Sequence, residues 1–238
     1  MEEHLDRLQS SLRTLGLPPC QEQEVRNSLK ESARGILEGY VRIGIWLRLE
    51  EAAPLVISES RRTEKSRTII HMNPQIPYSR EQIRKGISVT TVPTRMAPVE
   101  AIQSRVKSSE RLSSVLARLE SPESVEVLRI EPQGFLTEGT ISNLFFVKGK
   151  AVVTPPAWLG VLEGVTRTHV IEAARRLKIL VQEIPVTRHD LFNADEAFLT
   201  NVLMGILPIR QVDGRTIGTR VPGPITRRLM YEITERDR

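Results

Sequence analysis

Leu144-Phe145-Phe146-Val147-Lys148-Gly149-Lys150-Ala151-Val152-Val153 is the stretch that decides the fold class. Two apolar runs flank Lys-Gly-Lys, a compact signal for a hairpin. Downstream, Val170, Ile171, Ala174 and Leu177 recur at helical spacing, and Leu180 to Val186 reads as a strand again. The same mixture extends outward in both directions. Upstream lie a strand near Ile87 to Val92, a helix with Leu112, Val115, Leu116 and Leu119 on one face, and a strand from Val125 to Ile130. Downstream follow a strand from Glu196 to Thr200, a turn at Asp213-Gly214 and a final helix through Ile225, Leu229 and Ile233. Helices and strands mix without regular alternation, which predicts an α+β fold rather than a doubly wound parallel sheet.

The first third reads differently. Leu5, Leu8, Leu12 and Leu15 mark a helix that Gly16 and Pro18-Pro19 end. Val25, Leu29, Ile36 and Leu37 mark a second helix. Val41, Ile43, Ile45, Leu47 and Leu49 then alternate as a strand with one buried face, with Pro54 to Glu59 as its expected partner. His71 to Tyr78 holds two prolines and an asparagine and reads as a connection. The expected division is a small domain over 1–72, a linker over 73–78 and a large domain over 79–238.

Composition narrows the partners. The 238 residues carry a formal charge of +5, but basic and acidic residues are interleaved, and aromatics make up only 4%. That argues against a base-stacking nucleic-acid surface and leaves room for an anionic substrate or cofactor. One cysteine, Cys20, allows neither an internal disulfide nor a zinc motif, and the four histidines lack ligand spacing. No apolar run approaches the length of a membrane span, and the polar first residues are not a signal peptide. The expectation is a cytoplasmic protein with no metal, nucleic acid or membrane among its partners.

Three stretches carry chemistry. Gly164-Val165-Thr166-Arg167 runs straight into a helix, where free N–H groups and the helix dipole favour an anion; taken alone it is an ordinary helix start. Thr137-Glu138-Gly139-Thr140-Ile141-Ser142-Asn143 lies between strand signals, and a carboxylate there can hold a pyridine nitrogen in its protonated form. Lys107, in Val106-Lys107-Ser108-Ser109 at the start of a helix, can form a Schiff base with an aldehyde if its amine is often neutral. Burial beside Arg105 and Arg111 is one route to that state.

Together these stretches resemble the class IV aminotransferases, the fold type IV pyridoxal-phosphate enzymes. Leu136-Thr137-Glu138-Gly139-Thr140-Ile141-Ser142-Asn143-Leu144-Phe145 is similar to the family's signature segment, in which the glutamate pairs with the ring nitrogen. Leu162-Glu163-Gly164-Val165-Thr166-Arg167 resembles its phosphate-binding turn, with Glu163 where proline is usual. Ala194 to Asn201 resembles the strand leading to a third cofactor loop. Glu3-His4-Leu5-Asp6-Arg7-Leu8 resembles the first helix, whose arginine binds phosphate. The resemblance implies Lys107 as catalytic Schiff-base lysine, and Arg7, Glu138, Asn143, Leu162, Val165, Thr166, Asn201 and Val202 at the cofactor. It implies a small α/β domain, a larger pseudo-barrel domain, pyridoxal 5'-phosphate, an amino acid and keto acid as substrates, and a homodimer. Members usually have some tens of residues before the first helix, so a truncated small domain is also implied. Glu110 stands where asparagine is frequent.

The implied reaction is transfer of an amino group to a 2-keto acid. Arg111-Leu112 and Asn201-Val202-Leu203-Met204 are closer to the lyase branch, which releases p-aminobenzoate and pyruvate from aminodeoxychorismate. A third reading is a non-catalytic protein that binds the cofactor.

Overall fold

The computed structural model describes residues 1–32, 39–47, 66–73, 78–97, 106–109 and 112–236. They fall into two compact units, Met1–Pro77 and Tyr78–Arg238.

In the first unit, helices α1 (Glu2–Thr14) and α2 (Glu22–Ser32) accompany an antiparallel pair, β1 (Tyr40–Leu47) and β2 (Ser66–Asn73). Leu5, Leu12, Cys20 and Val25 form its buried core, against which Leu8, Leu29, Ile43 and Ile45 pack. Gly16, at φ 62, turns the chain out of α1. Gln9 then fixes the connection, donating to the Cys20 carbonyl at 2.8 Å and accepting the Cys20 N–H at 3.0 Å. One expectation changes here, at His71 to Asn73. The observed partner of β1 is β2, while Pro54 to Glu59 lies outside the described residues, as do Ile36, Leu37 and Leu49. His71 to Asn73 close β2 instead of opening a connection.

The second unit is built on one nine-stranded sheet. Its strands are β3 (Ile87–Arg95), β4 (Glu126–Ile130), β5 (Leu136–Gly139), β6 (Asn143–Lys148), β7 (Ala151–Thr154), β8 (Leu180–Glu183), β9 (Glu196–Asn201), β10 (Gly205–Val212) and β11 (Arg215–Thr216). Pairing runs β10–β3–β4–β5–β6–β9 and returns from β9 to β10, so six strands close a ring. Closure removes the free edges of these six strands, while β8 and β11 end the pairing outside the ring. β5 meets β6 at Glu138↔Asn143, whereas β7 meets it from Phe146 to Lys148. β5 and β7 therefore fork at β6.

Alternation along the strands explains the layers. Leu144, Phe146, Ala197, Leu199, Leu207 and Ile209 belong to one core cluster. Phe145, Val147, Phe198 and Ile206 point the other way, against α5 (Val165–Arg176) and α7 (Pro224–Arg236), whose Val170, Ala173, Ala174, Leu229 and Ile233 are buried there. Phe145 and Phe198 stack with centroids 5.2 Å apart. Strands buried on both faces read as continuous apolar runs, which is why β6 and β9 are visible in the sequence. Helices α3 (Arg80–Lys85) and α6 (Arg188–Phe192) are short and begin with capping boxes at Ser79 and Thr187. Helix α4 (Leu112–Glu120) lies before β4 and buries only Ala117; Leu112, Val115, Leu116 and Leu119 are all exposed. The expected strand to Val186 ends at Glu183, and Val186 makes a single bridge to Leu136.

Candidate active site

The fork at β6 sets two polar residues face to face, Glu138 next to the end of β5 and Asn143 starting β6. Asn143 Nδ2 donates to Glu138 Oε2 at 3.0 Å and to the Leu162 carbonyl at 2.8 Å. The Leu162 N–H donates to the same Glu138 Oε2 at 3.0 Å. One amide thus fastens the carboxylate to the turn that precedes α5. Arg129, from β4, donates Nη2 to Glu138 Oε1 and to the Gly139 carbonyl, both at 3.1 Å. Burial pushes the Glu138 carboxyl up to about 7, against the pull of Arg129, the Leu162 N–H and Lys107, while Glu126 adds to the rise.

The turn itself requires glycine. A Cβ on Gly164 would lie 2.3 Å from Asn143 Oδ1. With no side chain, Gly164 cannot cap α5, so the first-turn N–H groups of Val165 and Thr166 stay open to an outside acceptor. The buried Arg167 holds the helix in place, donating to the Pro155 carbonyl at 3.1 Å and to Glu183 at 2.8 Å.

Glu126 was not singled out from sequence, yet it organises the loop behind Glu138. Its carboxylate accepts five hydrogen bonds: from the N–H groups of Val127, Thr140 and Ile141 at 3.0, 3.1 and 3.2 Å, and from the hydroxyls of Thr140 and Ser142 at 2.6 and 2.8 Å. Gly139 passes so close that a Cβ there would meet Ser142 Oγ at 2.2 Å and Glu126 Cδ at 2.8 Å. Arg129 was missed as well. Both are charges inside the apolar run from Val125 to Ile130, and that was the signal available.

The structure brings Glu138, Asn143, Leu162, Val165 and Thr166 together. Lys107 acts on Glu138 through its charge. Its side chain is exposed, not buried, and Arg105, Glu110 and Arg111 lie outside the described residues, so burial among arginines gains no support. Asn201 Nδ2 donates to the Ile141 carbonyl at 3.2 Å, and its Oδ1 accepts from Leu203 and Met204 N–H at 2.8 and 2.9 Å. Asn201 thereby shapes the β9–β10 turn, and Val202 is exposed at its tip. Arg7 is on α1 in the first unit, within 3.3 Å of His4 Nδ1, and burial lowers its pKa. Among the described residues no group of three or more His, Cys, Asp or Glu is placed to hold a metal ion, and no helix is long and apolar enough to cross a membrane.

Comparison with known proteins gives one answer. A Methanocaldococcus jannaschii protein that carries the name of a branched-chain-amino-acid aminotransferase is 32% identical over 240 residues, covering 99% of this chain and 81% of its own. The structure of a branched-chain aminotransferase from Thermoproteus uzoniensis with norvaline superposes with a TM-score of 0.85 at 28% identity, over 98% of this chain and 77% of that one. A branched-chain amino acid aminotransferase from T.th., solved with pyridoxamine 5'-phosphate, gives a TM-score of 0.84 at 26% identity, over 98% and 77%. The sequence model of the amino-transferase class IV family matches residues 1–212. The chain belongs to the amino-transferase class IV family.

Proposed function

We propose that the chain is a pyridoxal-phosphate aminotransferase that moves an amino group between a branched-chain amino acid and a 2-keto acid, with Lys107 as its catalytic residue. The observation that carries this reading is the joining of Glu138 to the N-terminus of α5 through Asn143 and the Leu162 N–H. It offers an acceptor for a ring N–H and a set of backbone donors for a phosphate on one rigid support, which suits the cofactor's two polar ends. When bound, pyridoxal phosphate supplies an electron-poor ring that stabilises the carbanion formed at the substrate α-carbon.

The chain's residues do the rest. Lys107 Nζ would hold the cofactor covalently and would act as the base and acid that carries the substrate α-proton from the α-carbon to the cofactor carbon, the shift that amino transfer requires. Val165 and Thr166 would hold the phosphate through their N–H groups, and Leu162 would hold the ring. Asn201 and Val202 form the third loop of the site. The resemblance also assigns Arg7 a phosphate-binding role. The branched-chain preference rests on the names of the relatives.

The test is amino transfer from branched-chain amino acids to 2-oxoglutarate after loading with pyridoxal phosphate. Transfer supports the reading; cofactor binding without transfer, or release of p-aminobenzoate from aminodeoxychorismate, overturns it. Gly164→Ala should weaken cofactor binding about tenfold, the effect of roughly 1–3 kcal/mol of overpacking against Asn143. Fluorescence titration with pyridoxal phosphate measures it, and unchanged affinity would mean that Asn143 yields freely.

The proposal extends to a homodimer in the cytoplasm. The exposed apolar face of α4, with Leu112 65% and Leu119 68% accessible, supports the dimer. Light scattering should give twice the 26.9 kDa chain mass; a monomer at micromolar concentration would count against it. A lone, buried cysteine suits a reducing compartment.

A further inference from the structure

Arg129 sits in the middle of β4, where all five residues are buried, and only 6% of it is exposed. A buried ion pair rarely repays the cost of removing both charges from water. This one repays less than most, because the Arg129 Nε is buried with no acceptor. Stability is therefore a poor reason for the arginine.

Counting lone pairs on Glu138 gives a better one. Oε2 accepts from Asn143 Nδ2 and from the Leu162 N–H, which fills it. Oε1 accepts from Arg129 Nη2, which leaves it one lone pair. On the cofactor reading above, the ring N–H must take that remaining position. Ring and guanidinium then share one oxygen. The other groups that act on Glu138 are Glu126, also from β4, and Lys107, from the segment before α4; Asn143 and the Leu162 N–H are neutral donors. Lys107 is the residue that carries the cofactor, so its charge changes with loading. Arginine, by contrast, is a permanent cation in proteins.

We infer that Arg129 is a positioning residue that shares Glu138 Oε1 with the cofactor's ring nitrogen and so weakens that nitrogen's hold on its proton. A fixed cation on the far side of the carboxylate draws off part of the negative charge that stabilises a protonated ring. The ring is a weaker electron sink than Glu138 alone would make it, and Arg129 sets by how much.

The inference rests on the cofactor reading, and ring-labelled pyridoxal phosphate separates the two. The ¹⁵N chemical shift of the bound ring nitrogen is followed against pH in the holoenzyme of the parent, R129M, R129Q and R129K. R129M and R129Q, which lack the cation, should hold the ring proton to a pH about one unit higher, a tenfold gain in proton affinity. R129K, which keeps a cation, should titrate close to the parent. R129Q retains N–H donors, so it preserves the reading if R129M does not fold. A bound ring that titrates alike in the parent and both neutral variants overturns the inference alone. A parent that leaves the label at the shift of free cofactor overturns the cofactor reading, and the inference with it.

Discussion

Lys107→Ala should bind pyridoxal phosphate without the yellow colour of a covalent adduct and should lose amino transfer by about 10³-fold or more. On the proposed assignment one side chain carries two functions, covalent attachment and movement of the α-proton. Reversible binding should survive, since Glu138, Asn143 and the N-terminus of α5 stay in place. Borohydride should fix cofactor to the parent and leave the variant unlabelled. Lys148→Ala, at the exposed end of β6, serves as the control and should behave as the parent. Transfer at the parent's rate in Lys107→Ala would sink the assignment of that lysine.

The second large effect is on stability. Glu126→Ala should destabilise the chain by about 3 kcal/mol or more, because the buried donors of Val127, Thr140 and Ser142 and the partly buried N–H of Ile141 lose their acceptor at once. For a chain of this size that corresponds to a melting temperature lower by about 10 °C, read by circular dichroism. Glu126→Gln preserves shape but turns an N–H₂ toward those donors, so it should recover only part of the loss. A melting temperature within about 2 °C of the parent for Glu126→Ala would show that water satisfies the loop as well as the carboxylate does.

Residues explain why some of this was legible in the sequence and some was not. β6, β7 and β9 are apolar on both faces and announce themselves. β10 was overlooked because Pro208 interrupts its pattern; in the fold the ladder to β3 begins at Ile209, one residue past the proline. β5 is four residues long and half polar, so it looked like a loop. Its polar residues are needed there, since Thr137 donates to the Arg129 carbonyl at 3.0 Å and Glu138 faces the site. The partner of β1 is separated from it by residues 48–65, and local pattern does not encode which run pairs with which. At the site, the glycines and the helix start could be read as chemistry in waiting. Glu126 and Arg129 could not, because a charge in a strand declares its purpose only when its acceptors and donors are known.

The fork at β6 bears on the order in which the molecule assembles. Arg129, Glu138, Asn143, Leu162 and Gly164 all fall within residues 126–167 and are joined by hairpins and the connection over 155–164, so bringing them together costs little loop-closure entropy. Closing the ring requires β10 to find β3, more than a hundred residues upstream, which is a slow, non-local event. The hydrogen-bonded cluster around Glu138 is thus encoded locally, and closure of the ring is encoded at a distance. A chain can join these residues before its ring is closed.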